Sequence, residues 1–119
     1  MRFIRLIDIL CYICISRIKK ISMTKFGELI GSRIPTLIDF YTEWEDDSNL
    51  HSILRDVAAA LGDKAKVVKI DIAKNETLAA ALRIKGNPTF IIYKDGEMKW
   101  RQTGLQDANT LISLVQQYV

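Results

Sequence analysis

Two cysteines, a run of carboxylates and one histidine are the most reactive side chains in this 119-residue sequence. Cys11 and Cys14 stand in a Cys-Tyr-Ile-Cys tetrapeptide, a spacing that suits a redox dithiol or half of a zinc site. No second cysteine pair and no nearby histidine completes a zinc site. A reactive thiolate wants a helix N-terminus or positive charge beside it, whereas Ile9, Leu10, Ile13 and Ile15 flank this pair. The plainer expectation is two small apolar residues on an apolar face. Glu43, Glu45, Asp46 and Asp47 form an acidic run. Carboxylates at a helix start are favoured by the macrodipole and the free N–H groups, which suffices to explain Glu45 to Asp47. A divalent-cation site is the sharper alternative, but no EF-hand-like spacing supports it and no metal is expected. An acidic rim that attracts basic peptides is a third reading. His51 has no Cys or Ser at a matching spacing and reads as a helix-surface or core-edge residue.

Two further ionisable groups sit where charge is costly. Asp39 and Lys69 each fall inside an apolar run that reads as a buried strand, and a buried charge is tolerable only when paired or neutral. The formal charge of +3 is unevenly placed. Residues 1–22 carry a net +4, and residues 23–119 carry 12 basic and 13 acidic side chains. The body is therefore near neutral, and nucleic acid is not an expected partner.

The elements that position these residues are legible from residue 23 onward. Thr24 can cap a short helix over 25–30, closed by Gly31. The β-branched and aromatic run 35–42 reads as a strand buried on both faces. Asp47 or Ser48 can cap a helix over 49–61 with Leu50, Ile53, Leu54, Val57 and Leu61 on one side. A second buried strand spans 67–72. Asn75 caps a short helix to Leu82. A third strand covers 89–93, and Asp95-Gly96 turns it into an antiparallel partner over 98–103. Asp107 or Asn109 opens a last helix bearing Leu111, Leu114, Val115 and Tyr118. Strands separated by helices imply parallel neighbours and right-handed crossovers, so the fold class is α/β. The sheet should be mixed, of four or five strands, with helices on both faces.

Residues 1–22 read differently. Arg2, Arg5, Asp8, Tyr12, Ser16 and Lys19 recur every three or four residues, which places them on one side of an amphipathic helix. The apolar stretch is too short and too charged to span a bilayer and lacks a clear signal-peptide pattern, so a cytoplasmic location is expected. Three roles suit this basic extension. The alternatives are a helix lying on a membrane surface, packing on the domain or on a second copy, and a working chain that starts at Met23 rather than Met1.

Several stretches in order give 23–119 the look of a thioredoxin domain. Leu37-Ile-Asp-Phe-Tyr-Thr-Glu-Trp44 is similar to the strand entering that family's active site. Val67-Val-Lys-Ile-Asp-Ile72 resembles its central strand. Gly86-Asn-Pro-Thr-Phe90 resembles its cis-proline loop. Tyr93 to Glu97 and Trp100 to Gly104 resemble its final hairpin and glycine. The resemblance implies a peptide groove bounded by Trp44, Asn87, Pro88, Thr89 and Gly104, with Pro88 as the cis-proline and Asn87 making the groove more polar than usual. It also implies that Asp39 and Lys69 are the buried carboxylate and its neighbour, which in active relatives help move a thiol proton. Where the family has W-C-G-P-C, this chain reads Trp44-Glu45-Asp46-Asp47-Ser48, so Glu45 and Ser48 stand at the two cysteine positions. Disulfide exchange needs an attacking thiolate and a second thiol to resolve the mixed disulfide, and a carboxylate and a hydroxyl do neither. The expectation is a redox-inactive module that binds an extended peptide or protein partner and carries no cofactor. The alternatives are a thiol–disulfide oxidoreductase working through Cys11 and Cys14, or function at a membrane surface or in self-association through residues 1–22.

Overall fold

The structure, a computed structural model, describes residues 16–18, 21–42, 48–85, 88–104 and 106–119. In chain order its elements are β1 (Ser16–Ile18), α1 (Met23–Ile30), β2 (Thr36–Tyr41), α2 (Ser48–Leu61), β3 (Lys66–Asp71), α3 (Glu76–Ala81), β4 (Thr89–Lys94), β5 (Glu97–Thr103) and α4 (Ala108–Gln116). A single turn of 3₁₀ helix, Gly62–Lys64, joins α2 to β3. The strands lie in the order β1-β3-β2-β4-β5. β1, β3 and β2 run parallel, and β4 and β5 are antiparallel additions.

β2 is buried at every position, as a central strand covered on both faces must be. Its alternate residues feed two cores. Leu37 packs with Leu54, Val57 and Leu61 of α2 and with Leu111 and Val115 of α4. Ile38 and Phe40 pack on the opposite side with Phe26 of α1, Leu78 of α3, Ile91 and Tyr93. Each fully buried Leu, Ile or Phe contributes roughly 1.5–3 kcal/mol over leaving it in water. Phe26 and Tyr93 meet edge to face, ring centroids 5.8 Å apart at 90°.

The hairpin expected from Asp95-Gly96 is present. Asp95 and Gly96 have φ of 54° and 80°, the two positive values that a tight primed turn requires. Asp107, rather than Asn109, caps α4 by accepting the Thr110 N–H at 2.8 Å.

The amino-terminal part departs from expectation. The helical spacing read across residues 2–19 does not hold at Ser16–Ile18, which pair with Val68 to Ile70 as the parallel edge strand β1. Completing the exposed edge of β3 with backbone hydrogen bonds outweighs a polar period that suits a helix. The sheet thus takes in a strand amino-terminal to Met23. The rest of residues 1–22, apart from Ile21 and Ser22, lies outside the described residues, as do Cys11 and Cys14. Ser22, not Thr24, caps α1 and accepts the Lys25 N–H at 3.1 Å. Asn75 precedes α3 but does not cap it with its side chain. Its Oδ1 accepts the Ile21 N–H at 2.9 Å, and its Nδ2 donates to the Asp71 carbonyl at 2.8 Å. This latch ties the β1–α1 connection to the end of β3. Among the described residues, no helix is long and apolar enough to cross a membrane.

Candidate functional site

The carboxyl end of β2 and the start of β4 lie side by side, because Phe40 and Thr89 are register partners. Thr89 also faces Thr103 of β5, with their hydroxyl oxygens 3.4 Å apart. Just beyond, the Gly104 N–H donates to the Pro88 carbonyl at 2.8 Å. Gly104 has φ of 104°, a backbone conformation that side-chain-bearing residues rarely adopt. These contacts draw Pro88, Thr89 and Gly104 into one backbone edge at the end of the sheet where β2 delivers Thr42. Pro88 and Gly104 are half-buried, and Thr89 is buried.

Trp44, Glu45 and Asn87 lie outside the described residues, and so does the cis geometry expected of the Asn87–Pro88 bond. Ser48 is the first residue of α2. His51 lies in the first turn of the same helix.

Asp39 and Lys69 are brought together. They are register partners on the adjacent parallel strands β2 and β3, whose backbones run about 4.8 Å apart. Both alternate onto the face that carries Leu37, Val67 and Phe90. Asp39 is 0% exposed and Lys69 is 1% exposed. The Lys69 ammonium also lies 4.6 Å from the centre of the Tyr41 ring, a cation–π contact. Sequence reading placed both residues in buried strands. It missed Tyr41 as the lysine's ring partner, because nothing in a strand's alternation says which aromatic a long cationic side chain will reach.

On the opposite face the Tyr93 hydroxyl is buried with no hydrogen-bond partner among the described residues. Burial pushes the Tyr93 phenol above its ordinary pKa, and the nearby Arg101 charge opposes that rise. A separate hollow of about 360 Å³ opens between Ile21–Met23 and residues 73–78. Its buried polar side chain, Asn75, is engaged by the latch described above. Among the described residues, no group of three or more His, Cys, Asp or Glu side chains stands together to hold a metal ion.

With this geometry in place, comparison with known proteins is direct. The thioredoxin family pattern matches residues 17–117. Thioredoxin Y, chloroplastic, of Oryza sativa subsp. japonica is 40% identical over 100 residues, which cover 82% of this chain and 60% of that protein. The chain thus spans about 60% of the length of this relative and of thioredoxin Y2 of Arabidopsis thaliana. The thioredoxin of Rickettsia prowazekii is 32% identical over 90 residues, covering 75% of this chain and 86% of its own. Among solved structures, a mutant thioredoxin from Halobacterium salinarum NRC-1 superposes with a TM-score of 0.70 at 30% identity, covering 87% of this chain and 90% of that one. Chloroplastic thioredoxin z gives a TM-score of 0.73 at 28% identity, covering 87% and 93%.

Proposed function

The chain belongs to the thioredoxin family, and from that premise we propose that it is a redox-inactive member that binds an extended polypeptide segment without reducing disulfides. One observation carries the reading. From Ser16 to Val119 the chain contains no cysteine, and Glu45 and Ser48 follow Trp44 at the spacing where the family pattern has its two thiols. Without a thiolate no mixed disulfide forms, and without a second thiol none is resolved. The backbone edge at Pro88, Thr89 and Gly104 supports the binding half of the reading. The Thr89 backbone is paired with β2 and β5 and the Gly104 N–H with the Pro88 carbonyl, so this rim offers an extended segment a backbone surface held in place, which needs no reactive side chain. The location proposed is cytoplasmic, although three of the similar proteins above are chloroplastic; fractionation with an antibody to the chain distinguishes the two locations.

Reduction of insulin by dithiothreitol with catalytic amounts of the full chain tests the chemistry. The expected rate is that of dithiothreitol alone, and robust turnover would overturn the reading in favour of an oxidoreductase using Cys11 and Cys14. Binding is tested with reduced, carboxymethylated insulin B chain, an unfolded polypeptide with no disulfide. Titrating it into isotope-labelled protein should shift the amide signals of Thr89 and Gly104 ahead of those of Leu111. Absence of any shift at millimolar peptide counts against a groove at this edge.

A further inference from the structure

We propose that Arg101 is the positioning residue for the segment that carries Pro88, acting by a forked hydrogen bond that holds the chain in the turn by which it leaves α3. The inference rests on the binding edge proposed above and adds the residue that sets it.

α3 is six residues long and ends abruptly. The Arg83 N–H donates back to the Ala80 carbonyl at 3.1 Å, and the Ile84 N–H donates to the Ala79 carbonyl at 2.9 Å. This pair of bonds is the usual helix-ending turn in which the residue past the cap is left-handed, normally glycine. Here that residue is Arg83, with φ of 56°. A residue with a Cβ is disfavoured in that conformation, so the turn needs support from elsewhere. The carbonyls of Leu82 and Arg83 lie beyond the reach of helical donors. Arg101 supplies both. Its Nη1 donates to the Leu82 carbonyl at 2.5 Å and its Nη2 to the Arg83 carbonyl at 2.7 Å.

Arg101 is itself fixed, because it faces Ile91 across the β4–β5 ladder. Three residues further on, the Gly104 N–H holds the Pro88 carbonyl. One strand therefore grips the connecting segment at both ends, by a guanidinium at Leu82–Arg83 and by a backbone bond at Pro88. A rigid planar fork can serve two adjacent carbonyls at once, which an ammonium on a flexible stem cannot do in one fixed geometry.

Amide hydrogen exchange on the full chain, read residue by residue by NMR, tests the assignment. Arg101→Met should speed exchange of the Ile84 and Gly104 amides by roughly tenfold, or about 1.4 kcal/mol, beyond any change at Leu111 in α4. Arg101→Lys should recover only part of that protection. Placing glycine at the left-handed position removes the need for the fork, so Arg83→Gly/Arg101→Met should bring the Ile84 and Gly104 amides back toward the unsubstituted chain. Binding of the carboxymethylated B chain should follow the same order. Unchanged exchange at Ile84 and Gly104 in Arg101→Met, full recovery by lysine, or no recovery by Arg83→Gly would each overturn the proposal. If Arg101→Met does not fold, the comparison of Arg83→Gly with Arg83→Gly/Arg101→Lys decides it: in the glycine background the lysine should cost less than it does alone. If the unsubstituted chain does not bind the B chain, the binding edge fails, and the exchange results alone still decide the role of Arg101.

Discussion

Replacing Lys69 by methionine should expose how strongly the buried charges depend on one another. The lysine is 1% exposed and its register partner Asp39 is 0% exposed. Methionine keeps the apolar stem and removes only the ammonium, so little packing changes. What remains is a carboxylate inside a core lined by Leu37, Val67 and Phe90. Removing one partner of a buried pair costs about 3–5 kcal/mol, because the other charge stays desolvated. Loss of the contact with the Tyr41 ring adds about 1–2 kcal/mol at most. At about 4 °C per kcal/mol for a domain of this size, the two losses together should lower the Tm of Lys69→Met by roughly 12–28 °C. Asp39→Val should cost a similar amount by stranding the ammonium. The double variant Asp39→Val/Lys69→Met should lie near the unsubstituted protein or above it, since an apolar pair of similar volume carries no desolvation penalty. Urea denaturation of the four proteins closes the cycle, with an expected coupling of about 6 kcal/mol or more, the two single losses that the double variant avoids. If the double variant instead loses the sum of the two single losses, the residues do not act as a pair and the reasoning fails. The double variant should also bind the carboxymethylated B chain normally. A stable double variant that binds nothing would show that the pair has a duty beyond stability.

Three other outcomes follow from particular contacts. Asn75→Ala removes the acceptor for the Ile21 N–H and the donor to the Asp71 carbonyl, and should cost about 1–3 kcal/mol, with faster exchange in β1 before any change in β4. The bond from Thr110 holds the Asp107 carboxyl below its ordinary pKa, so its capping contribution is present above the unfolded carboxyl pKa and lost as pH falls through the folded one. Thermal scans of Asp107→Ala and the unsubstituted chain should accordingly differ at neutral pH and converge in acid. Tyr93→Phe removes a buried hydroxyl that has no partner among the described residues, and should be neutral or stabilising by up to about 1 kcal/mol. Because burial raises the Tyr93 phenol above its ordinary value, the unsubstituted chain should lose stability as pH rises above 10, and Tyr93→Phe should lose less of it.

The central strands were legible because burial on both faces leaves a nearly continuous apolar run, as 37–41 and 67–70 show with Asp39 and Lys69 as their interruptions. The hairpin was legible because a two-residue turn with two positive φ values admits few residue pairs, and Asp95-Gly96 is one of them. β1 was not. A three-residue edge strand is too short to show alternation, and its existence depends on β3 offering it an unpaired edge. That information is tertiary, so the local polar period pointed to a helix instead. Asn75 misled for a related reason. Its position before α3 fits a cap, but the arrival of Ile21 gave its side chain a different donor. The start of α1 shifted from Thr24 to Ser22 in the same neighbourhood, since either hydroxyl can cap and the position of Ile21 selects between them.

The same distinction separates what the candidate site owes to side chains from what it owes to the backbone. Asp39 and Lys69 were readable because charged groups in apolar strands are conspicuous. Arg101 was not, because an arginine on an edge strand is ordinary, and only the left-handed turn at Arg83 makes it matter. The bond between Gly104 and Pro88 and the Thr89–Thr103 contact involve neither residue 45 nor residue 48. The edge they form requires only that β2, β4 and β5 keep their register. Redox chemistry in this family depends on two thiols, whereas pairing with an extended chain depends on backbone held in place. The proposed redox-inactive binding module is physically consistent for that reason, since Glu45 and Ser48 at the thiol positions would remove the first requirement and leave the second untouched.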